Sequence, residues 1–362
     1  MHPLSGADLG TLWRVFAQSG GIPPSKWAEA SAIWLAALGR LPMTAMEYWA
    51  LSNRLPALDD MTPPVFIIGH WRSGTTHLYN VMSQANFGYV PPLATGLPWD
   101  LMGIGRVMRP FLERALPETR YIDNVPVLPT SPQEDEIALA NMTPLSFYHA
   151  IYFPQRFQSY LTEGLFFDHL TEAQIKAWQD TFLYFMRKLS LHQGHKRLLI
   201  KNPVYTARVD RLHTMMPDAR YIHILRNPYE VFISMRNFYS KLLKQFALQP
   251  YDHVDIDSAI LTVYARMMEK MEEDLARLPR HLYTELRYEE LDRNPLGSLE
   301  HIYDALDLGS FEAMRPIFQT YLDSVRSYEK NRFEYSVQMA DLVESHLGRF
   351  IEKWGYARPG QS

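Results

Sequence analysis

The residues of this chain that are best suited to chemistry form the run Arg72-Ser73-Gly74-Thr75-Thr76, which directly follows the apolar segment 65–68. The apolar segment is rich in β-branched and aromatic residues and predicts a buried strand. The residues after Gly74 contain no Gly or Pro until well past Met82 and predict a helix. A strand, a turn bracketed by Gly69 and Gly74, and a helix together favour phosphate binding, because backbone N–H groups and the helix N-terminus attract an anion. The glycines let the main chain approach that anion closely.

The residue after Gly74 argues against one large class of phosphate-binding loops. A nucleoside-triphosphatase loop continues with Lys and then Ser or Thr, and the Lys reaches the β- and γ-phosphates. Here Thr75 and Thr76 follow, and the cation of the loop is Arg72. The loop therefore favours a shorter anionic group held by one guanidinium and two hydroxyls, rather than a magnesium-bound triphosphate. An ordinary strand, turn and helix with an incidental pair of glycines is the less favoured alternative.

A second element of the same kind follows the apolar segment 221–225. Asn227 is a suitable helix N-cap, and Pro228 suits the first helical position. Ser234 lies seven residues after Asn227, which is two helical turns, so both lie on one face of the helix. Arg226 at the strand end and Ser234 on that face are placed to bind one phosphate. Alone, this pattern would indicate a surface arginine and a capped helix; after the first loop, it predicts a second phosphate-binding element.

These two elements resemble the sulfotransferases that use 3′-phosphoadenosine-5′-phosphosulfate (PAPS), in the branch that carries Arg-Ser-Gly-Thr-Thr. In that family the first loop holds the 5′-phosphosulfate, and an Arg and a Ser eight residues apart bind the 3′-phosphate. Two departures are Trp71, where Pro is usual, and Tyr205, where many relatives carry His. The resemblance implies that the following residues bind PAPS: Arg72, Ser73, Gly74, Thr75, Thr76, Arg226 and Ser234.

The resemblance continues in four further segments, namely 120–126, 131–136, 199–203 and 217–220. It extends from about Pro64 to Tyr356 and does not cover residues 1–60. It implies an in-line sulfuryl transfer from PAPS to a hydroxyl, which releases adenosine 3′,5′-bisphosphate. Arg72 is placed to neutralise the charge that grows on the leaving oxygen. No metal is expected, because no triphosphate has to be shielded.

The acceptor hydroxyl must lose a proton, so a general base is also expected. Glu134 and Glu136 are the candidates, with Glu134 first. An exposed helix N-terminus explains acidic residues equally well, because carboxylates there complement the helix dipole. The uncharged segment 137–155 that follows favours a buried position and hence a catalytic role. His70, inside the phosphate loop, is the next candidate.

Predicted strands at 65–68, 198–200, 221–225 and 282–287 alternate with predicted helices. This order indicates an α/β fold with a P-loop-like central parallel sheet flanked by helices. Residues 1–60 are expected to form a helical N-terminal extension, which acts as a lid or packing element, and residues 61–362 the sulfotransferase α/β domain. Pro42 and Pro56 are expected to interrupt the helices of the extension. Residues 91–130 are rich in Pro and Gly and are expected to be irregular.

The 362 residues are 47% hydrophobic and 21% charged, which is typical of a globular protein. The net charge of −4 gives no case for nucleic-acid binding, and the absence of cysteine excludes disulfides and thiolate catalysis. No signal-like start and no run of roughly 18 apolar residues is found, so we expect a cytoplasmic protein. The expected partner is a small, largely apolar hydroxyl acceptor, and the aromatic residues of the N-terminal helices also suit contact with a membrane surface. The alternative functions are a P-loop kinase-like phosphotransferase and a non-catalytic nucleotide-binding protein.

Overall fold

The computed structural model describes residues 2–114, 128–326 and 335–360. Within these residues, one sheet has the strand order β2-β1-β3-β4, with β1 (Val65–Ile68), β2 (Leu199–Lys201), β3 (Arg220–Leu225) and β4 (Tyr283–Arg287). β1 pairs in parallel with β3, and β3 pairs in parallel with β4. β1 is buried throughout, as expected for a sheet that is covered on both faces. The predicted α/β fold with a central parallel sheet is confirmed, and each predicted strand lies within one residue of its expected bounds.

The chain forms two compact units that are interleaved along the sequence. The first unit comprises Met1–Thr62, Gly88–Ile200 and Ser240–Val254, and the second comprises Pro63–Phe87, Lys201–Tyr239 and Asp255–Ser362. The helices of the first unit are α1 (Leu9–Gln18), α2 (Trp27–Leu51), α4 (Pro92–Gly96), α5 (Ile104–Arg114), α6 (Asp135–Ala140), α7 (Tyr148–Tyr152), α8 (Phe157–Phe166) and α9 (Glu172–His192). Those of the second unit are α3 (Thr75–Met82), α10 (Val209–Met215), α12 (Ile256–Leu275), α13 (Tyr288–Arg293), α14 (Pro295–Ala305), α15 (Phe311–Ser324) and α16 (Val337–Trp354). Helix α11 (Pro228–Phe246) contributes residues to both units.

The N-terminal region is helical, as predicted. Asp8 caps α1 by accepting hydrogen bonds from two backbone N–H groups of its first turn. The expected interruption at Pro42 is wrong, because α2 continues through this residue for 25 residues in total. Two ion pairs on either side of that position, Arg40 with the buried Asp100 and the buried pair of Glu47 with Lys188, hold α2 against the rest of the first unit. The division of the chain at residue 60 stays a prediction.

The expectation of an irregular segment at 91–130 is wrong in part, because α4 and α5 lie within it. Pro92 begins α4, where its fixed φ suits the first helical turn. The Glu47 carboxylate of α2 accepts hydrogen bonds from the backbone of Met102 (2.9 Å) and Gly103 (2.5 Å), which fixes the chain just before α5. Residues 115–127, and with them the segment 120–126 of the family resemblance, lie outside the described residues. No helix in the described ranges combines the length and apolarity that a membrane span requires.

Candidate phosphate-binding site

The loop between β1 and α3 begins at Gly69, whose φ of 138° favours glycine. A side chain here would collide with the carbonyl oxygen of Ile224 on β3. The Gly69 N–H donates a hydrogen bond of 2.8 Å to the hydroxyl of Thr206, which lies in the short 3₁₀ helix Pro203–Ala207. The start of the loop is therefore fixed between β3 and the segment that follows β2.

The loop ends at Gly74, which has a φ of 100° and occupies the N-cap position of α3. A side chain at Gly74 would collide with the ring of Tyr288. Gly74 also provides no side-chain cap, so no side chain competes there for the N–H groups of the first helical turn. Arg72 has a φ of 69°, a left-handed conformation that is uncommon for a residue with a side chain. The backbone geometry predicted for an anion-binding turn is thus present.

The hydroxyl-bearing residues of the loop are mostly buried. Ser73 is 2% exposed and Thr75 is 3% exposed, whereas Thr76 is half-buried. Among the described residues, the buried Ser73 hydroxyl has no hydrogen-bond partner. Buried polar groups are normally paired, so an unpaired hydroxyl in this loop fits a group that a ligand oxygen satisfies.

The second predicted element begins at the end of β3. Asn227 caps α11, because its side chain accepts a hydrogen bond of 3.1 Å from the Tyr229 N–H. The Arg226 guanidinium stacks on the ring of Tyr288 at 4.3 Å and pairs with the carboxylate of Glu230 at 2.5 Å. The predicted N-cap and first helical proline are confirmed, and the arginine is held by an aromatic ring and a carboxylate.

The structure brings the two predicted elements together. The Arg72 Nε donates a hydrogen bond of 2.8 Å to the Ser234 hydroxyl, which links the loop after β1 to the helix after β3. The Arg226 guanidinium donates a second hydrogen bond, of 3.2 Å, to the Arg72 carbonyl oxygen. Two arginines, one buried hydroxyl and the N-terminus of α3 therefore meet at the carboxyl ends of β1 and β3. Positive groups at that edge of a parallel sheet are suited to bind an anionic ligand.

His70, the candidate for a base after the two glutamates, points into the protein. It is 2% exposed, its Nδ1 lies 3.0 Å from the Trp71 carbonyl oxygen, and its ring packs against Tyr264 at 4.7 Å. Burial lowers the pKa of His70 to about 4, although the hydrogen bond to the Trp71 carbonyl opposes this shift. The imidazole is therefore neutral at neutral pH and is enclosed by aromatic side chains.

Glu134 and Glu136 belong to the first unit and differ in their surroundings. Glu136 is 1% exposed, and its Oε1 accepts hydrogen bonds from the Ser146 hydroxyl (2.7 Å) and the Phe147 N–H (3.0 Å). Glu134 precedes α6 in the N-cap position without capping it, is half-buried, and accepts a long hydrogen bond of 3.4 Å from the Tyr148 hydroxyl. Glu136 is thus occupied in holding the start of α7, whereas Glu134 has the more accessible carboxylate.

Three side chains that contact the predicted site were not assigned a role from the sequence. They are Thr206, Glu230 and Tyr288, which bind or pack against Gly69, Arg226 and Gly74. The position of Tyr288 gave a usable signal, because it directly follows β4 and the carboxyl ends of parallel strands meet at one edge of a sheet. Neither Thr206 nor Glu230 stands in a pattern that indicates a contact of this kind.

The family model described as "Sulfotransferase family" matches residues 63–312. A curated relative, the omega-hydroxy-beta-dihydromenaquinone-9 sulfotransferase Stf3 of Mycobacterium bovis, is 29% identical over 296 residues, covering 82% of this chain and 76% of the relative. The protein of the same name from Mycobacterium tuberculosis matches with the same figures. Both predicted phosphate-binding elements lie inside the region that the family model matches, whereas α1 and α2 precede it.

Two solved structures share the fold over nearly the whole chain. The sulfotransferase STF9 of Mycobacterium avium matches with a TM-score of 0.68 and 13% identity, covering 98% of both chains. The sulfotransferase STF1 of Mycobacterium tuberculosis H37Rv matches with a TM-score of 0.64 and 17% identity, covering 95% of this chain and 91% of that protein. At these identities the match shows the fold alone.

Proposed function

This chain belongs to the sulfotransferase family and is an enzyme of that class, and we propose that it moves a sulfuryl group from PAPS to a hydroxyl of a largely apolar acceptor. The reaction is an in-line displacement: the acceptor oxygen bonds to sulfur while the bond to the 5′-phosphate oxygen breaks. The proton of the acceptor passes to a general base, and adenosine 3′,5′-bisphosphate leaves.

The observation that supports PAPS most directly is the contact between the two anion-binding elements. PAPS carries its phosphosulfate and its 3′-phosphate on one ribose, so the groups that bind them must be neighbours. Arg72 hydrogen-bonds to Ser234, and Arg226 hydrogen-bonds to the Arg72 carbonyl. A nucleotide with phosphate only at its 5′ carbon would leave one of these elements unused.

The proposed roles in the transfer follow from where charge develops. The loop N–H groups and the N-terminus of α3 hold the 5′-phosphate, and Arg72 neutralises the negative charge that grows on its bridging oxygen. Arg226 and Ser234 hold the 3′-phosphate, which has the same charge in the ground state and the transition state. Ser73 and the two threonines complete the contacts to the phosphosulfate.

The general base stays a prediction, with Glu134 first. Its carboxylate is half-buried, whereas that of Glu136 is 1% exposed and accepts two hydrogen bonds that stabilise the local fold. Glu136 is the second candidate and His70 the next, since the neutral imidazole of His70 could accept a proton, although it is enclosed.

The acceptor class rests on the curated relatives, whose name gives a hydroxylated dihydromenaquinone as their substrate. We propose that this chain also sulfates a hydroxyl on an apolar, lipid-like molecule. The cytoplasmic location stays a prediction.

Ligand binding and turnover test the proposal separately. Thermal unfolding is measured with adenosine 3′,5′-bisphosphate, with adenosine 5′-phosphate, and with ATP plus magnesium. A ligand at 100 times its Kd raises the free energy of unfolding by about 2.7 kcal/mol, and we expect this for the bisphosphate alone. Stabilisation by ATP with magnesium, and not by the bisphosphate, would instead support a kinase-like phosphotransferase.

Turnover is measured by mass spectrometry after incubation with PAPS and a panel of hydroxylated quinones, phenols and sugars. The gain of a sulfuryl group on an apolar acceptor is the expected result. Binding of the bisphosphate without transfer to any member of a metabolite extract would support a non-catalytic nucleotide-binding protein. Arg236→Ala is the matched control for the arginine variants, since Arg236 lies on α11 but pairs with Asp257 at 2.9 Å.

A further inference from the structure

The turn that begins the second predicted phosphate-binding element is held by a residue from another part of the second unit. Arg226 and Asn227 form this turn between β3 and α11. The Asn227 N–H donates a hydrogen bond of 3.2 Å to Oε1 of Glu289, an exposed residue of α13. Because the peptide group between Arg226 and Asn227 is planar, this hydrogen bond also fixes the orientation of the Arg226 carbonyl. The backbone from which the Arg226 side chain projects is therefore held by Glu289.

The other oxygen of Glu289 contacts the residues that follow α16, which we call the 355–358 segment. Its Oε2 accepts a hydrogen bond of 3.0 Å from the Tyr356 hydroxyl. Gly355, with a φ of 63°, ends α16 in a left-handed conformation and turns the chain at this point. Burial and the charge of Glu289 raise the pKa of Tyr356 above its ordinary value, so the hydroxyl keeps its proton and remains a donor. Glu289 thus bridges the turn at Asn227 and the 355–358 segment.

The ring of Tyr356 is itself held at the end of β4. The guanidinium of Arg287, the last residue of β4, lies 5.1 Å from the centre of this ring and donates a hydrogen bond of 2.5 Å to the last carbonyl of α16. Tyr288 is next in the chain, and its ring stacks under the Arg226 guanidinium at 4.3 Å. Three consecutive residues, of which Glu289 is the third, therefore hold the 355–358 segment, the Arg226 side chain and the backbone of the turn.

A second carboxylate links the same segment to the first turn of α11. The Tyr229 hydroxyl donates a hydrogen bond of 2.5 Å to Glu344 of α16. The other oxygen of Glu344 pairs with Arg358 at 2.7 Å, and Arg358 also pairs with Asp341 at 2.5 Å. The 355–358 segment thus reaches the start of α11 at two points, each time through one carboxylate that receives a donor from either side.

We propose that Glu289 and Tyr356 are positioning residues for the 3′-phosphate: Tyr356 holds Glu289, and Glu289 holds the Arg226 turn in the conformation that binds this phosphate. A carboxylate repels a phosphate, so Glu289 acts through the N–H of Asn227 and not by contact with the ligand. The proposal rests on the proposed use of PAPS and extends its binding site to a segment outside residues 63–312, which the family model matches.

Calorimetry of the full chain with adenosine 3′,5′-bisphosphate and with adenosine 5′-phosphate tests the proposal, because these nucleotides differ only in the 3′-phosphate. Tyr356→Phe keeps the ring beside Arg287 and removes the hydrogen bond to Glu289. We expect it to weaken binding of the bisphosphate by about three- to tenfold, as for the loss of one hydrogen bond, and to leave binding of the 5′-phosphate unchanged. The matched control is Tyr283→Phe, which removes a hydroxyl that Arg280 contacts at the start of β4. It should bind both nucleotides as the wild type does.

Two changes of Glu289 separate its hydrogen bonds from its charge. Glu289→Ala removes both hydrogen bonds and should weaken binding of the bisphosphate at least as much as Tyr356→Phe does. Glu289→Gln should bind it no more weakly than the wild type, because the amide oxygen can accept from the Asn227 N–H while the amide NH₂ donates to the Tyr356 oxygen. The double variant of Glu289→Ala and Tyr356→Phe should match Glu289→Ala, since Tyr356 acts through Glu289. Glu290→Ala, which alters the next exposed acid of α13, is the control.

Binding is measured at a temperature at which thermal unfolding shows every variant to be folded. In turnover, Tyr356→Phe and Glu289→Ala should raise the KM for PAPS and change kcat little, because the 3′-phosphate is bound equally in the ground state and the transition state. Equal weakening of both nucleotides, unchanged binding of the bisphosphate, or additive losses in the double variant would overturn the positioning role and leave the sulfotransferase proposal intact. A wild-type protein that does not bind the bisphosphate would instead refute the proposed use of PAPS, and the positioning role with it.

Discussion

The predicted phosphate loop at 69–76 and the acidic segment at 134–136 are both short runs whose residue types indicate chemistry. They differ in whether the sequence alone predicts what their residues contact in the structure. In the loop, the prediction depends mostly on the backbone: the glycines at 69 and 74 and the helix N-terminus follow from the residue types, whereas the left-handed conformation of Arg72 does not. In the acidic segment, neighbouring carboxylates have different partners, and Glu136 is occupied by Ser146 and Phe147. A site made from main-chain geometry can be recognised in a sequence, whereas the role of a side chain depends on what packs against it.

The largest expected effect tests the acidic segment. If Glu134 is the general base, Glu134→Gln should lower kcat by roughly 10²–10⁴-fold, because proton transfer in the transition state is lost. Binding of adenosine 3′,5′-bisphosphate should not change. Steady-state kinetics with PAPS and calorimetry with the bisphosphate measure the two quantities. Near-wild-type turnover of this variant would remove Glu134 as the base, and if Glu136→Gln also retained turnover, His70 would be the next residue to change.

The neighbouring variant Glu136→Gln provides the contrast. Its carboxylate accepts hydrogen bonds from the Ser146 hydroxyl and the Phe147 N–H, so an amide should weaken the local fold by about 1–3 kcal/mol and lower the melting temperature. At a temperature where the variant is folded, kcat should be near that of the wild type. Glu172→Gln, which alters an exposed acid in the first turn of α9, is the matched control.

The next effect tests the loop. Arg72→Ala should lower kcat by roughly 10²–10³-fold, because Arg72 faces the oxygen on which charge develops in the transition state. It should also raise the KM for PAPS, since the side chain contacts Ser234 of the second element. Arg236→Ala, on α11, is the control and should leave both constants unchanged. A change confined to KM would contradict the role given to Arg72 in the transition state.

The contrast between the loop and the acidic segment also explains which elements of the fold could be predicted from the sequence. The strands, the glycine turn and the Asn227-Pro228 helix start were found correctly, because each depends on residues that are adjacent in the chain. The continuation of α2 through Pro42 was not predicted, because ion pairs of Arg40 and Glu47 with residues distant in the sequence stabilise that helix. Helices α4 and α5 were also missed, because a Pro- and Gly-rich composition obscured them.

Within the site, the same distinction holds for individual side chains. Arg72, Arg226 and Ser234 were expected together on the basis of spacing and resemblance, and their hydrogen bonds agree with this. The ring of Tyr288, which packs against Gly74 and under Arg226, is brought there by the pairing of β3 with β4. Contacts of this kind result from strand pairing in the sheet, and no local sequence pattern predicts them.

A smaller effect separates the two arginines. Arg226→Ala should raise the KM for PAPS by roughly 10- to 100-fold, as expected for a lost contact to a charged group. Since the 3′-phosphate is bound equally in the ground state and the transition state, kcat should change little. The kcat and the KM for PAPS of Arg226→Ala are measured and compared with those of Arg72→Ala. An equal fall in kcat for both variants would mean that Arg226 acts through its hydrogen bond to the Arg72 carbonyl.

The smallest effect concerns Glu230, the carboxylate that holds Arg226. Its Oε2 accepts hydrogen bonds from the Arg226 Nε at 2.9 Å and from a terminal guanidinium nitrogen at 2.5 Å, and its side chain is 39% exposed. A 3′-phosphate must share this guanidinium with a carboxylate of the same charge. Glu230→Gln should therefore tighten the binding of adenosine 3′,5′-bisphosphate, by at most about fivefold, because exposed ion pairs contribute about 0.2–1 kcal/mol.

Adenosine 5′-phosphate, which lacks the 3′-phosphate, should bind Glu230→Gln and the wild type equally well, and calorimetry with both nucleotides checks this. Glu312→Gln is the control, since Glu312 forms a comparable exposed pair with Arg315 in the second unit. Weaker binding of the bisphosphate by Glu230→Gln would show that the carboxylate orients Arg226 for the phosphate instead of competing with it. In that case the second element, like the acidic segment, would depend on a side-chain partner that its sequence pattern does not reveal.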